Sequence, residues 1–199
     1  MYDYIEEFFY TRKYNRINGL ISELSDISRT DLIKLVCSYK QQIVKSSNIP
    51  QYSDFYHGTT ELVNYLRKSG DFGPSFLEIG KHYSNKPKKR NTYEKYGENH
   101  AKLAESLGLV VIRKEIVKRT YLSDLGSVIE TLPFNEQIVM LEKLCSFIPI
   151  VQYCLINDVQ YKSEVGELLL GVMSESTAIR RTRNTWDLIQ MTRGEYKWD

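Results

Sequence analysis

The chain of 199 residues lacks any apolar run near the roughly 20 residues that a bilayer-spanning helix needs. Its first ten residues, MYDYIEEFFY, are acidic and aromatic, unlike a secretory signal. Cysteine is scarce: Cys37, Cys145 and Cys154 are an odd number and have no metal-site spacing. We therefore expect three buried free thiols, a reducing compartment such as a bacterial cytoplasm, and no membrane partner.

Motifs for catalysis or metal binding are also lacking. His57, His82 and His100 do not have the spacing of metal ligands, and neither a phosphate-binding glycine loop nor a nucleophile elbow is present. Metal-dependent nucleases use a Glu-x-Lys pair on a strand, and the chain has this pair only from Glu195 to Lys197, with no strand to follow it. We therefore predict no catalytic residue, no metal ligand and no cofactor.

Charge is unevenly distributed along the chain. The formal net charge is only +2. Residues 81–120, however, hold eleven Lys or Arg against four Glu, a local balance of +7, so the other residues sum to −5. This asymmetry favours a surface for a polyanion on an otherwise acidic protein. The alternative interpretation is a solvated basic loop.

The residue pattern predicts a mainly α protein with one small β-hairpin. Its 42% hydrophobic and 26% charged residues are ordinary for a soluble globular protein. We divide the chain into an N-terminal helical segment (1–50), a domain at 59–132, and a connecting helix with a C-terminal helical pair (133–199). In the first segment, Thr30 is the predicted N-cap of a helix that extends to Ile43.

Between residues 59 and 132, three amphipathic helices precede two basic strands. The helices are TELVNYLRKSG, SFLEIGKHYS and YEKYGENHAKLAESL, of which Gly70 ends the first and Gly108 the third. The predicted N-caps are Thr59 or Thr60, Ser75 and Thr92. The strands LVVIRK and KRTYL are rich in β-branched and aromatic residues. Ser123 or Asp124 is expected to begin the next helix.

This order of three helices and a hairpin resembles the winged-helix version of helix-turn-helix. The progression AKLAESLGLVVIRK…KRTYLSDLG carries the resemblance, which covers about residues 60–130. It implies DNA binding, with the hairpin as the wing, although winged helices also mediate protein contacts. The loop NKPKKRN is longer than a minimal helix-turn-helix turn. In the third helix, His100 lies on the apolar stripe and is expected to be a packed or hydrogen-bonded residue, not a metal ligand.

The C-terminal region predicts a second helix-turn-helix. An apolar helix from Asn135 to about Ile156, which Pro149 should kink or split, is a candidate dimer contact. The stretches SEVGELLLGV and MSESTAIRRTRNTWDLIQ then predict two helices, the second starting behind Ser174. Its expected inner stripe is Ile179, Thr182, Trp186 and Ile189. This tail is similar to helix-turn-helix segments that accompany restriction-modification proteins.

Eighteen side chains are candidate DNA contacts, because they are cations, amides or hydroxyls that can reach phosphates or base edges. The basic loop supplies Lys86, Lys88, Lys89, Arg90 and Asn91. The third helix supplies Lys95, Asn99 and Lys102. The wing supplies Arg113, Lys114, Lys118 and Arg119. The last helix supplies Ser176, Thr177, Arg180, Arg181, Arg183 and Asn184. Basic loop and wing are expected to be neighbours that flank one groove.

The sequence thus predicts a protein that binds double-stranded DNA, sequence-specifically if it regulates transcription. Basic loop and wing are expected to contact phosphates, and the last helix is the expected recognition helix that reads bases, with the third helix as a further candidate reader. A homodimer or a second protein subunit is the other partner considered. Three alternatives remain open: the recognition part of a restriction-type endonuclease, a winged-helix module for protein contacts, and a nuclease with a divergent active site.

Overall fold

The structure, a computed structural model, describes residues 17–70 and 72–198, apart from the side chain of Asn18. It is mainly helical and has one antiparallel sheet of two strands, which confirms the predicted fold class at that level. The N-terminal segment predicted at 1–50 lies partly outside the described residues, because the description begins at residue 17.

Helices account for most of the described residues. In chain order they are α1 (Ile17–Asp26), α2 (Arg29–Ser38), α3 (Thr60–Lys68), α4 (Phe76–His82), α5 (Arg90–Ser106), α6 (Asp124–Thr131), α7 (Phe134–Leu144), α8 (Pro149–Ile156), α9 (Lys162–Leu170) and α10 (Glu175–Arg193). Short 3-10 turns lie at Ser46–Asn48 and Cys145–Phe147. Strands β1 (Val110–Lys114) and β2 (Lys118–Leu122) lie between α5 and α6.

The chain forms two compact units. Residues 51–137 make one, here called the hairpin unit, and residues 17–50 with 138–198 make the other, here called the split unit. The predicted domain at 59–132 falls inside the hairpin unit.

Helix ends in the hairpin unit follow the predicted signals, with two exceptions. Thr59 is the residue before α3, as predicted, but its hydroxyl donates to Phe55 O at 2.7 Å and makes no capping bond. Ser75 forms a capping box with Glu78, and Ser123 Oγ accepts a hydrogen bond from the Gly126 amide at 2.9 Å, so both predicted caps are confirmed. Gly70 and Gly108 have positive φ angles of 61° and 74° just beyond α3 and α5.

The other exception to the predicted helix ends is the start of the third helix. α5 begins at Arg90 behind Lys89, so the predicted cap at Thr92 is wrong, and Arg90 and Asn91 lie in the first helical turn. Arg90 pairs with Glu94 one turn later, at 2.9 Å, which supports a helix that starts early.

Two glycines allow α4 and α5 to cross closely. A Cβ atom on Gly80 would lie 1.9 Å from the carbonyl oxygen of Tyr93, and one on Gly97 would lie 1.9 Å from that of Phe76. No side chain fits at either position, so the backbones themselves are in contact. This crossing fixes α5 against α4.

Backbone pairing in the sheet extends slightly beyond its two strands. β1 and β2 pair from Val110↔Leu122 to Lys114↔Lys118. Ser75 forms an isolated bridge with Arg119, and the Thr120 amide donates to Pro74 O at 3.0 Å. The segment between α3 and α4 therefore adds a short third edge beside β2.

The split unit contains a buried cation at the end of α1. The Lys143 ammonium donates to the carbonyl oxygens of Leu24, Ser25 and Ile27 at 2.5, 2.9 and 2.9 Å. These carbonyls belong to the last turn of the helix and the residue beyond it, where backbone acceptors lack helical partners. Lys143 thus acts as a side-chain cap that joins α7 to α1.

We expect Lys143→Met to lower the free energy of unfolding of the split unit by about 1–3 kcal/mol, because buried carbonyl groups lose their donor. Both tryptophans, Trp186 and Trp198, lie in this unit, so urea unfolding followed by tryptophan fluorescence measures the change. Lys34→Met, at an exposed lysine of the same unit, is the control. Equal midpoints for the two variants would contradict the capping role.

Pro149 divides the apolar helix as predicted. It is the first residue of α8, and the segments Phe134–Phe147 and Pro149–Ile156 meet at a bend of 72°. Among the described residues, no single helix has both the length and the apolar composition to cross a membrane, and only this bent pair, taken together, meets those criteria.

The three thiols are free. Cys145 and Cys154 are buried as predicted, and burial raises the pKa of Cys154 to about 12. Cys37 is only half-buried, so the prediction is wrong for this residue. The cause is its position on α2 beside buried Val36, at the margin of the apolar stripe.

The predicted helix behind Thr30 is also shorter than expected. The N-cap of α2 is Ser28, whose Oγ accepts from the Asp31 amide at 3.1 Å. The helix ends at Ser38, which leaves Ile43 outside it and 77% exposed. Apolar residues continue at helical spacing beyond Ser38, which is why a longer helix was predicted, but the helix itself ends there.

Candidate nucleic-acid interface

The hairpin places like charges opposite each other. Arg113 pairs with Arg119 and Lys114 with Lys118 across the two strands. Since side chains alternate between the faces of a strand, the arginines lie on one face and the lysines on the other. Like charges directly opposite destabilise a sheet. Four cations at the end of a hairpin therefore weaken it unless an anion binds there.

Three of the four wing cations have no carboxylate partner among the described residues. Lys114 makes no hydrogen bond, ion pair or ring contact there, Lys118 Nζ lies 5.9 Å from the Phe76 ring centroid, and Arg113 lies 4.4 Å from that of Tyr121. Such cation–π contacts orient a side chain without neutralising its charge.

Arg119 has a different role from the other wing residues. Its guanidinium donates to Gly73 O at 2.8 Å, lies 4.2 Å from the Phe72 ring centroid, and approaches Glu115 at 3.7 Å. It is only 24% exposed. These contacts fasten the segment before α4 to β2, so Arg119 is a structural residue in the free protein.

The basic loop before α5 is exposed and largely unpaired. Within the described part of the chain, the side chains of Lys86 and Lys89 make no hydrogen bond or ion pair, and Lys88 lies over the Tyr96 ring at 4.8 Å. Arg90 is held by Glu94. Asn91 is exposed in the first turn of α5. Three lysines are thus available to phosphates at this end of the helix.

The middle of α5 is a neutralised network. Glu98 binds Lys95 at 2.9 Å and Lys102 at 2.8 Å. Burial acts to raise the pKa of Glu98, but hydrogen bonds and charge from Lys102 and Lys95 lower it to about 2. Both lysines are therefore weaker phosphate candidates than the sequence implies. Asn99, half-buried beside them, keeps an amide without a side-chain hydrogen bond in the described structure.

Basic loop and wing lie at opposite ends of α5. The loop adjoins the start of the helix at Lys89, and the hairpin follows its end at Ser106, about 25 Å away for 17 residues at 1.5 Å each. Burial raises the pKa of Glu105, and this shift is opposed by a hydrogen bond from the Ile112 amide and by the charges of Lys102 and Lys118. Because Ile112 and Lys118 belong to the hairpin, this end of α5 faces the hairpin. Among the described residues no hydrogen bond, ion pair or ring contact joins the basic loop to the wing.

The last helix is rotated relative to the prediction. Ile179 is 67% exposed, and Thr182 and Trp186 are half-buried, so of the expected inner stripe only Ile189 is buried. The buried residues of α10 are Ala178, Thr185, Leu188, Ile189, Met191 and Thr192. α9 lies against this helix, where a Cβ on Gly166 would make an ordinary contact of 3.5 Å with Thr182 Oγ1.

This rotation directs Arg181 inward. Its guanidinium donates to Ile49 O at 2.9 Å and to Ser46 O, and burial lowers its pKa. Arg181 therefore stabilises the split unit, which makes it a poorer candidate for a DNA contact than the outward position that the sequence predicts.

The other cations of α10 are exposed but locally engaged. Arg180 donates to Ser176 O at 3.1 Å and to Thr177 Oγ1 at 3.4 Å, and Arg183 lies 3.7 Å from Asp187. Asn184 is half-buried. The helix presents Arg180, Arg183 and Ser176 to solvent, whereas the Thr177 hydroxyl in its first turn accepts from Ser174 Oγ and Arg180.

We expect Arg181→Ala to lower the free energy of unfolding of the split unit by about 1–2 kcal/mol, since two carbonyl groups lose a charged donor. Arg183→Ala, which removes an 80% exposed guanidinium from the same helix, is the matched control and should have little effect on stability. Urea unfolding followed by tryptophan fluorescence compares the two. Loss of stability in Arg183→Ala but not in Arg181→Ala would contradict the structural role of Arg181.

A histidine–tyrosine cluster was not predicted as a group. All three histidines of the chain lie in the hairpin unit beside Tyr65, Tyr83 and Tyr96. His82 stacks on Tyr65 at 4.0 Å, and His57 stacks on Tyr83 at 5.4 Å. The residues come from four separate stretches, so no spacing in the sequence indicates the cluster.

His100 is the centre of that cluster. It is fully buried, which confirms the prediction of a packed residue, and neither ring nitrogen has a hydrogen-bond partner in the described structure. Burial, aided by the charge of His57 and opposed by Asp54, lowers its pKa to about 4. Among the described residues, no three His, Cys, Asp or Glu side chains are placed to hold a metal ion.

Comparison of the chain with models of protein families, with curated proteins and with solved structures gives no match.

Proposed function

We propose that the chain binds double-stranded DNA through its hairpin unit, which we interpret as a winged-helix domain. Three features support this fold assignment: the order α3, α4, α5, β1, β2; the bridge between Ser75 and Arg119; and the bond from Thr120 to Pro74. The bridge extends the pairing beyond the two strands of the hairpin, which supports this interpretation. In this interpretation α5 is the recognition helix and the hairpin is the wing.

The observation that carries the proposal is the charge on the hairpin. Two cross-strand cation pairs have a cost in the free protein that a polyanion would remove. Among these four cations, only Arg119 forms an ion pair with a carboxylate in the described structure. DNA phosphates are the anions that arrays of Lys and Arg side chains bind, by displacing condensed counterions.

The ends of α5 would provide phosphate contacts, and two of its amides, exposed Asn91 and half-buried Asn99, would provide base readout. Lys86, Lys88 and Lys89 would bind the backbone at one end of the helix, and Lys114 and Lys118 at the other. Asn91 and Asn99 carry amide groups of the kind that bind adenine edges in the major groove. The charges on α10 are a second, weaker candidate surface, limited to Arg180 and Arg183.

A salt titration of binding to a random-sequence duplex pool tests the proposal. The wild type should lose affinity steeply with salt, and Lys114→Ala/Lys118→Ala should flatten the slope by about 0.9 for each phosphate that the variant no longer neutralises. Lys34→Ala/Lys45→Ala removes the same charge from exposed positions in the split unit and should leave the slope unchanged. Absence of salt-dependent binding by the wild type would overturn the proposal and favour a winged-helix module for protein contacts.

A further inference from the structure

The tip of the hairpin is apolar. Three residues, Glu115, Ile116 and Val117, connect β1 to β2, and Ile116 is fully exposed while Val117 is 53% exposed. β-Branched apolar residues are unusual in a tight turn, where Gly, Asn, Asp, Ser and Pro dominate. Folding of the hairpin unit gains nothing from an isoleucine that contacts no other part of it.

The apolar tip sits directly between cations. Lys114 and Lys118 are paired at the last position of the strands, one residue from Glu115 and Val117. The acidic residue in the turn is directed back along the hairpin, since Glu115 accepts from Tyr121 OH at 2.9 Å and lies 3.7 Å from Arg119. An apolar point flanked by lysines therefore forms the outermost part of the hairpin.

We propose that Ile116 and Val117 insert as a wedge into the minor groove of DNA, opening a base step and bending the duplex. Apolar side chains of this size are the wedges that minor-groove proteins place between bases, and cations beside them bind the flanking phosphates. Lys114 and Lys118 are placed for those phosphates. This inference rests on the proposed DNA binding and adds a mode of insertion to it.

Two other occupants fit the tip less well. Two side chains bury less apolar area than one fatty acyl chain, which by itself gives only marginal membrane binding. A stable protein interface buries about 800 Å² on each partner, far more than a turn of three residues supplies. A wedge between bases needs only one or two side chains.

The test uses the full-length chain and a duplex with 2-aminopurine at a flexible pyrimidine–purine step and a fluorophore at each end. Binding of the wild type should raise 2-aminopurine fluorescence by unstacking and bring the ends closer. Ile116→Ser/Val117→Ser should bind with the same salt slope but give neither signal. Val111→Ser, which changes an exposed apolar residue elsewhere on the hairpin, is the control and should behave as wild type.

The outcomes separate this inference from the function on which it rests. Salt-dependent binding with neither signal in the wild type overturns the wedge alone. No salt-dependent binding at all overturns the proposed function and the wedge with it. A third experiment measures sedimentation of the protein with vesicles of phosphatidylcholine and phosphatidylserine. Suppose that the wild type binds these vesicles and the tip variant does not, while both proteins give the same DNA binding and the same two fluorescence signals. In that case the tip is a lipid contact and the wedge is wrong.

Discussion

Gly97→Ala is expected to destabilise the hairpin unit by more than about 3 kcal/mol, because the new methyl group would overlap backbone atoms. Its Cβ would lie 1.9 Å from Phe76 O and 2.8 Å from the amide nitrogen of Gly80. Both are backbone atoms of α4, so neither can rotate away as the end of a side chain would. Relief requires α4 and α5 to separate.

The sign of this effect is opposite to that of helix propensity. Replacement of glycine by alanine inside a helix normally stabilises it by up to about 1 kcal/mol. Gly166→Ala is the matched control, since this glycine also lies within a helix and its Cβ would make an ordinary contact of 3.5 Å with Thr182 Oγ1. The control should be neutral or stabilising.

Hydrogen exchange measured on peptides of residues 76–106 reports the crossing directly. In Gly97→Ala these amides should exchange much faster than in the wild type. Tryptophan fluorescence reports the split unit and should show whether that unit keeps its stability. Wild-type protection of α4 and α5 in Gly97→Ala would show that the helices do not cross at these glycines.

Local signals predicted the elements of the hairpin unit well. Ser75 and Ser123 are caps because a hydroxyl there can accept from an amide two or three residues later, and this depends only on nearby sequence. Gly70 and Gly108 end helices because only glycine adopts a positive φ angle without strain. The register of the hairpin follows from two β-rich runs separated by three residues.

Contacts between residues far apart in the chain could not be predicted from the sequence. The inner face of α10 depends on which helices pack against it, and it buries Ala178 while Ile179 is exposed. Arg181 looked like a recognition residue because nothing near it in sequence shows that the carbonyls of Ser46 and Ile49 are adjacent. Likewise the pairing of Glu98 with both Lys95 and Lys102 depends on side-chain directions that composition does not fix.

Acidification should weaken the hairpin unit through His100. The fold lowers the pKa of His100 to about 4, from an ordinary value of 6.5, so the unfolded chain binds a proton more readily than the folded unit. Stability from this residue is fully present above the unfolded pKa and is lost as the pH falls toward the folded one. Between about pH 7 and pH 5 the loss should be about 2 kcal/mol.

The surroundings of His100 explain why the folded unit resists protonation. Its neighbours are the rings of Tyr83, Tyr96 and His57, at 5.2, 4.4 and 6.3 Å, and none offers an acceptor to either ring nitrogen. A charged imidazole there would be buried without a partner, which is far less favourable than a neutral one. Asp54 opposes the shift but does not reverse it.

Hydrogen exchange on peptides of residues 51–137, across this pH range and in graded urea, measures the slope. His100→Gln should flatten it because the titrating group is gone, whatever its effect on stability at neutral pH. His82→Gln, at an exposed histidine of the same cluster, should keep the wild-type slope because His100 is intact. Burial raises the pKa of Glu105, which strengthens the folded unit as the pH falls, and that contribution is common to all three proteins. If His100→Gln retained the full slope, the acid sensitivity would belong to another group and the account of His100 would be wrong.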